Sequence, residues 1–417
     1  MPKKISLFIC LLSLLITAIS SYKASCHFLN DTYFLDTPLS DTTNCVIKKI
    51  SASESGIKSF SKTTSGLYST ACCVIEKDSK QILYEKNSSK KLPMASTTKI
   101  MTCILALEKG SPKDIVTVSK YAASMPDVQL NMQSGEQFRL ADLLYSLMLE
   151  SHNDTAVAIA EHIGGSVKGF AKLMNQKAAE LGCNKTHFVT PNSLDSDKHY
   201  TTAYELCLIA DYALKNSGFR KIITTPSYSF SNISGSKQYS VNNKDAFLTQ
   251  YNGAIGVKTG FTGKAGYCFC GAAKRKNTTL ISAVLACGWP PNKTYKWKDT
   301  KKLMDYGFNN FTKVNFKPEN KNVKIFVKGG QSPYTYVKLK DNSCKLMLSS
   351  SDTVTYKIKL PRTLDAPVSK NSIIGYVKLF INNKLYRQTP LRTENSVKAV
   401  DINYIRYILI HTLCGIS

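Results

Sequence analysis

Acidic residues are scarce in this chain of 417 residues: 29 Asp and Glu stand against 55 Lys and Arg, a formal charge of +26. That excess favours an anionic partner, whether nucleic acid, an acidic membrane surface or an acidic polymer, and does not choose among them. Histidine is sparse too. His27, His152, His162, His187, His199 and His411 are scattered without the close pairs that zinc ligation favours, so the sequence offers no catalytic metal centre. A phosphate-binding loop is missing as well. Counting back from Gly263-Lys264 reaches Lys258 where a glycine is required, and Ala265 replaces the hydroxyl residue, which leaves nucleotide binding without support. There is no internal repeat. The 43% hydrophobic content and dispersed Gly and Pro exclude a collagenous or wholly disordered chain, and the length suits about two to three domains with a large core.

The N-terminus addresses the compartment. Lys3 and Lys4 precede the apolar run Ile5 to Ile16, and small residues follow at Ala18-Ile19-Ser20, the layout of a secretory signal over 1–25. The run is short for a permanent span, although an uncleaved anchor is the competing reading. A lipoprotein signal ending at Cys26 fits poorly, because Lys23 sits where apolar residues belong. Under either reading the rest of the chain is exported. Thirteen cysteines in an exported protein usually signal a disulfide framework, but Cys72 and Cys73 are adjacent, Cys268 and Cys270 fall on one face of a strand, and Cys103, Cys207 and Cys287 sit in apolar runs. They read as small core residues.

Residues 26–65 are polar with little periodicity and read as a leader or tether. Strand patterns follow at Ala71 to Glu76 and Ile82 to Tyr84, a hairpin. Helical periodicity then dominates. One helix runs from about Ser96 to Lys109, closed by Gly110 and Pro112. Others carry Leu140 to Met148, Val157 to Ile163, and Val167 to Leu181. Strands return at Ile255 to Gly260, Gly266 to Ala273 and Thr279 to Cys287, with a helix from Tyr295 to Phe308. The pattern is α+β, with a domain over 66–312 and a small all-β domain over 316–395. At 396–417, apolar Ile402, Ile405, Ile408, Leu409 and Leu413 are interrupted by charges, which favours a helix lying at a membrane surface over a spanning one. Ordinary packing is the competing reading.

Three short motifs carry chemistry. Ser96 and Lys99 lie three apart at a helix start, so hydroxyl and amine share a face, and the free N–H groups of that turn offer donors to a developing oxyanion. Ser151 and Asn153 fall at the turn between two helices, where capping is their ordinary use. Lys258, Thr259 and Gly260 lie on a strand. Singly, each has a bland explanation.

Taken in order, Ser96-x-x-Lys99, Ser151-x-Asn153 and Lys258-Thr259-Gly260 resemble the motif set of the penicillin-recognising serine enzymes. With the flanks Leu92-Pro93-Met94-Ala95, His199-Tyr200-Thr201-Thr202-Ala203 and Phe261-Thr262, the chain is similar to the low-molecular-mass penicillin-binding proteins, the serine-type D-alanyl-D-alanine carboxypeptidases. His152 and Ser193 depart from the small residue and the glycine common there. The resemblance implies an antiparallel sheet flanked by helices with a mainly helical subregion, β-lactamase/transpeptidase-like, over residues 66–312. It implies no cofactor, a peptidoglycan stem peptide as substrate, β-lactams as inhibitors, anionic membrane or wall polymers as partners, and no nucleic acid. Ser96 becomes nucleophile, Lys99 base, Ser151 proton relay and Asn153 holder of the peptide amide. Lys258 and Thr259 take the terminal carboxylate, with Gly260 beside them, and the Ser96 and Phe261 N–H groups form the oxyanion hole. A β-lactamase, a DD-endopeptidase and a catalytically silent wall-binding protein are the alternatives. The first needs a deacylating glutamate such as Glu180 or Glu205.

Overall fold

The structure, a computed structural model, describes residues 66–316, 322–338 and 344–414 and the backbone of one earlier strand, β1 (Thr42–Ser51). The expected signal over 1–25 and the remainder of the leader lie outside the described residues. The chain divides into two compact units, one of Ile57–Val314 with Lys345–Ser350, the other of the remaining residues.

The larger unit is built on β2 (Ala71–Glu76), β3 (Ile82–Lys86), β4 (Ala254–Thr262), β5 (Gly266–Arg275) and β6 (Thr278–Leu285). They form one antiparallel sheet in the order β3-β2-β6-β5-β4. Both faces are covered, which explains the near-continuous apolar runs and the adjacent cysteines. Cys73, Ile75, Cys268 and Cys270 face a helical core, whereas Cys72, Val74, Phe269 and Leu280 face Trp297, Leu303 and Met304 of the helix Tyr295–Asn310. All ten described cysteines are unpaired and eight are buried.

The helical side contains α1 (Lys99–Lys109), α2 (Leu140–Leu149), α3 (Asn153–Gly164), α4 (Val167–Glu180) and α5 (Ala203–Ala213). The helix expected from Ser96 instead begins as a 3-10 turn, Ala95–Thr98, before α1 takes over. Gly110 is also needed for a different reason than expected. Its φ of −107° is not left-handed, but a Cβ there would stand 2.5 Å from Leu140 Cδ2 and 2.8 Å from Ile163 Cδ1.

The smaller unit is mainly β. β7 (Asn322–Lys328), β8 (Tyr334–Lys338) and β10 (Thr363–Asp365) form one sheet, and β1, β9 (Thr353–Pro361), β11 (Ile373–Ile381) and β12 (Lys384–Arg392) form another. Along β9, Val354, Tyr356, Ile358 and Leu360 are buried while Lys357 and Lys359 face out, the period-2 pattern of a half-buried strand. β1 departs from the irregular leader that the polar composition of residues 26–65 predicts. Its Thr42-Thr43 and Val46-Ile47 are β-branched, and it pairs along nearly the whole of β9, from Thr42 opposite Pro361 to Ser51 opposite Thr353. The last described element is a helix, Ile402–Cys414, with no buried residue. Among the described residues no helix is long and apolar enough to cross a membrane.

Candidate active site

The 3-10 turn that opens α1 holds the first two residues of interest. Ala95 stands at a left-handed φ of +47°, a conformation costly for a non-glycine residue and one that concentrates at functional turns. The Ser96 hydroxyl does not cap the helix. It accepts a hydrogen bond from Lys99 Nζ at 2.9 Å, and Lys99 is fully buried rather than solvated. The same nitrogen lies 2.8 Å from Asn153 Oδ1 and 3.3 Å from the Asn192 carbonyl oxygen. Burial, with the Lys258 charge nearby, holds the Lys99 pKa well below the ordinary lysine value, against a smaller opposing pull from Asp154.

Asn153 opens α3, and its amide is fixed from both ends. Nδ2 donates to the carbonyls of Pro126 and Asp127, both at 3.1 Å, which points Oδ1 at Lys99. Its donors are thus occupied by the chain itself rather than free for a substrate amide. Asp154 holds the neighbouring loop through the N–H groups of Leu130 and Met132. Ser151 sits at a left-handed φ of +72°, and its Oγ is buried without a hydrogen bond to another protein group. It is not a cap and not part of the Ser96–Lys99–Asn153 chain. His152, between the two, is buried and anchored by Ser146 Oγ at 2.8 Å and Glu150 at 3.4 Å. Burial lowers its pKa, so the imidazole favours its neutral form.

β4 supplies the rest. Gly260 lies against the nucleophile's turn: a Cβ at this position would stand 2.8 Å from Ser96 N, 2.9 Å from Ala95 Cβ and 3.1 Å from Thr97 N. Only a residue without a side chain fits there, which gives the glycine of the third motif a steric reason. Lys258 is 2% exposed, and its Nζ donates to Thr259 O at 3.2 Å. Desolvation draws its pKa down to about 7, opposed by Asp245 and aided by Lys296. Thr259 is half-buried and Phe261 is 42% exposed on the rim, packed on Tyr267.

Several contributing residues carried no chemical role in the sequence reading. His199 Nε2 lies 2.8 Å from Thr98 Oγ1, while its Nδ1 accepts from Val189 N, so the ring ties the nucleophile's turn to the 187–199 segment. Burial pushes its pKa down to about 4, which keeps it neutral. Asp245 is 8% exposed, Oδ2 has no hydrogen-bond partner, and desolvation raises its pKa to about 7. No local pattern around Asp245 signalled this; it is a partner of Lys258 through the fold alone. The candidate deacylating glutamates are engaged elsewhere. Glu180 is exposed and paired with Lys177, and Glu205 accepts from Lys185 N and Thr186 Oγ1.

The arrangement is a hydroxyl held by a desolvated amine, beside a backbone N–H and a strand bearing a second buried lysine. It suits nucleophilic attack on a carbonyl whose chain ends in a carboxylate. Comparison with known proteins agrees. Residues 58–288 match the D-alanyl-D-alanine carboxypeptidase family, and residues 310–399 match the C-terminal domain of penicillin-binding protein 5. The chain is 32% identical over 334 residues to the D-alanyl-D-alanine carboxypeptidase DacF of Bacillus subtilis, covering 78% of this chain and 85% of that one. It is 34% identical over 242 residues to the D-alanyl-D-alanine carboxypeptidase of Streptomyces sp. strain K15, covering 54% and 82%. Among solved structures, penicillin binding protein 5 from Haemophilus influenzae superposes with a TM-score of 0.68 at 26% identity, over 81% of this chain and all of that one.

Proposed function

The chain belongs to the D-alanyl-D-alanine carboxypeptidase family, and on that basis we propose that it removes the terminal D-alanine of peptidoglycan stem pentapeptides through an acyl-enzyme on Ser96. The observation that carries this is the 2.9 Å bond between Ser96 Oγ and a Lys99 amine whose burial favours the neutral, basic form. Ser96 Oγ bonds to the carbonyl carbon between the two D-alanines as Lys99 takes its proton and the carbonyl electrons move onto oxygen. The N–H groups of Ser96 and Phe261 receive that oxyanion, each donor of this kind being worth about 3 to 4 kcal/mol. Collapse breaks the C–N bond, and the leaving D-alanine amine takes up the proton held by Lys99, passed through the Ser151 hydroxyl, which makes no other hydrogen bond among the described residues. Water then hydrolyses the ester, with Lys99 as base. Lys258 and Thr259 hold the substrate carboxylate.

A β-lactam imitates the D-alanyl-D-alanine end and acylates the same serine, as expected for a family that binds penicillin. The exported location, the wall polymers as partners and a membrane-surface role for the terminal helix belong to the same proposal, supported by the +26 charge and the exposed apolar side chains of Ile402–Cys414. The test is intact-protein mass spectrometry after benzylpenicillin, with peptide mapping. Wild-type protein should gain one adduct on the peptide containing Ser96, and Ser96→Ala should gain none and release no D-alanine from a pentapeptide. Wild-type rates of D-alanine release from Ser96→Ala would refute the mechanism.

A further inference from the structure

The stretch 316–400 is charged out of proportion to its size, with 16 Lys and Arg against 5 Asp and Glu, a net +11. Outward cations such as Lys357 and Lys359 stand on open strand faces. One group is different because it surrounds a cavity. Lys338 at the end of β8, Lys370 and Asn371 before β11, and Thr389, Arg392 and Glu394 at the end of β12 and just beyond it line a half-open cleft of about 450 Å³. That volume lies within the range of small-ligand sites.

The polar groups in this cleft divide by charge state. Lys338 Nζ is 2.6 Å from Glu394, so this pair is internally neutral, and its carboxylate keeps acceptor capacity. Arg392 Nη1 donates to the Asn371 carbonyl at 2.8 Å, which fixes the guanidinium plane while leaving further N–H donors. Among the described residues neither Lys370 nor Arg392 has a carboxylate partner. The cleft therefore offers two unneutralised cations, one of them a planar fork, beside a held carboxylate, a hydroxyl and an amide. A simple dicarboxylate would use the cations and leave the acceptor capacity of Glu394 without a donor. A chain that alternates phosphodiesters with hydroxyl-bearing units uses all of them. Each phosphodiester carries one permanent negative charge shared by two free oxygens, which can accept from Arg392 and Lys370, and the hydroxyls of the chain can donate to Glu394.

We propose that this cleft is a binding site for a polyol-phosphate chain, which names the site and linkage chemistry of the anionic wall polymer proposed above as partner and rests on that reading. The test uses the full chain and a short poly(glycerol phosphate) as probe, followed by calorimetry at low and moderate salt. Lys370→Gln/Arg392→Gln should weaken binding about tenfold or more, as expected for loss of two charge-assisted contacts. Lys357→Gln/Lys359→Gln removes the same charge from the same unit and should weaken it less than about threefold, the scale of exposed electrostatics. Lys370→Gln alone, which disturbs no hydrogen bond among the described residues, should show a smaller loss in the same direction. D-alanine release and the thermal unfolding profile should be unchanged in all three, which verifies that the catalytic unit and the β unit are both folded. Equal losses in the two double variants would mean diffuse attraction and would overturn the cleft while leaving the wall-polymer reading intact. A wild-type protein that ignores the probe at low salt would overturn both. Binding of poly(D-glutamate) with equal affinity and equal sensitivity to the cleft variant would overturn the phosphodiester assignment.

Discussion

Lys99 and Lys258 are two buried lysines from which one reaction asks opposite protonation states. As a base, Lys99 must be neutral. As a carboxylate ligand, Lys258 must be charged. Burial lowers both, and what separates them is their neighbours: Lys99 feels the positive Lys258 with only Asp154 opposing, whereas Lys258 has Asp245 raising it against Lys296. With its pKa near 7, Lys258 loses its charge as pH rises through neutrality, so kcat/KM should fall on the alkaline side through KM, while protonation of Lys99 sets the acid limb through kcat. Asp245→Asn removes the one group that raises the Lys258 pKa among the described residues, so the alkaline fall should move to lower pH. Each unit of that displacement raises KM at alkaline pH about tenfold, with kcat little changed. A pH profile that is superimposable on the wild type would show that Asp245 does not support Lys258.

At the scale of elements, the site depends on β4 crossing the turn that opens α1. Gly260 permits this approach, and Gly260→Ala must push two backbone segments apart, because the clashing atoms are Ser96 N and Thr97 N and not flexible side-chain ends. The expected cost is about 1 to 3 kcal/mol of stability, the usual range for overpacking, together with slow acylation by benzylpenicillin because the Ser96 N–H donor is displaced. Stopped-flow acylation and a thermal melt measure the two effects, and a variant acylated at the wild-type rate would mean the oxyanion donors are elsewhere. Much of this was legible in the sequence, for reasons of range. Ser96 and Lys99 meet because i and i+3 share a helix face, and the hairpin Ala71 to Tyr84 is readable from local alternation. The tie from Thr98 to His199 spans 101 residues, and its consequence was not. Nor were the occupied donors of Asn153, which depend on the carbonyls of Pro126 and Asp127 folding back onto α3. β1 escaped because its pairing partner, β9, lies some 300 residues further on.

For the whole molecule, the outstanding question is what the exposed C-terminal helix does. Ile402 is 72% exposed, Ile410 58% and Leu413 62%, a cost in water that burial in an interface would relieve by about 1 to 2 kcal/mol per side chain. The structure also corrects where the helix can be separated from the rest. A boundary at 395/396 would remove Val397, which is 2% exposed, packs with Val327 and Val368, and pairs its backbone with Val368. Val400 N likewise donates to Gly329 O. Removing 397–417 would therefore damage the β unit and blur the reading of any change in location. Deletion of 402–417 leaves these contacts in place and should move the protein from sedimenting anionic vesicles to the supernatant, with D-alanine release intact. Raised salt should weaken binding of the full chain only in part, since the apolar contribution is not screened. Vesicle binding that survives the deletion and vanishes in salt would assign membrane attachment to the cationic surface instead of the helix.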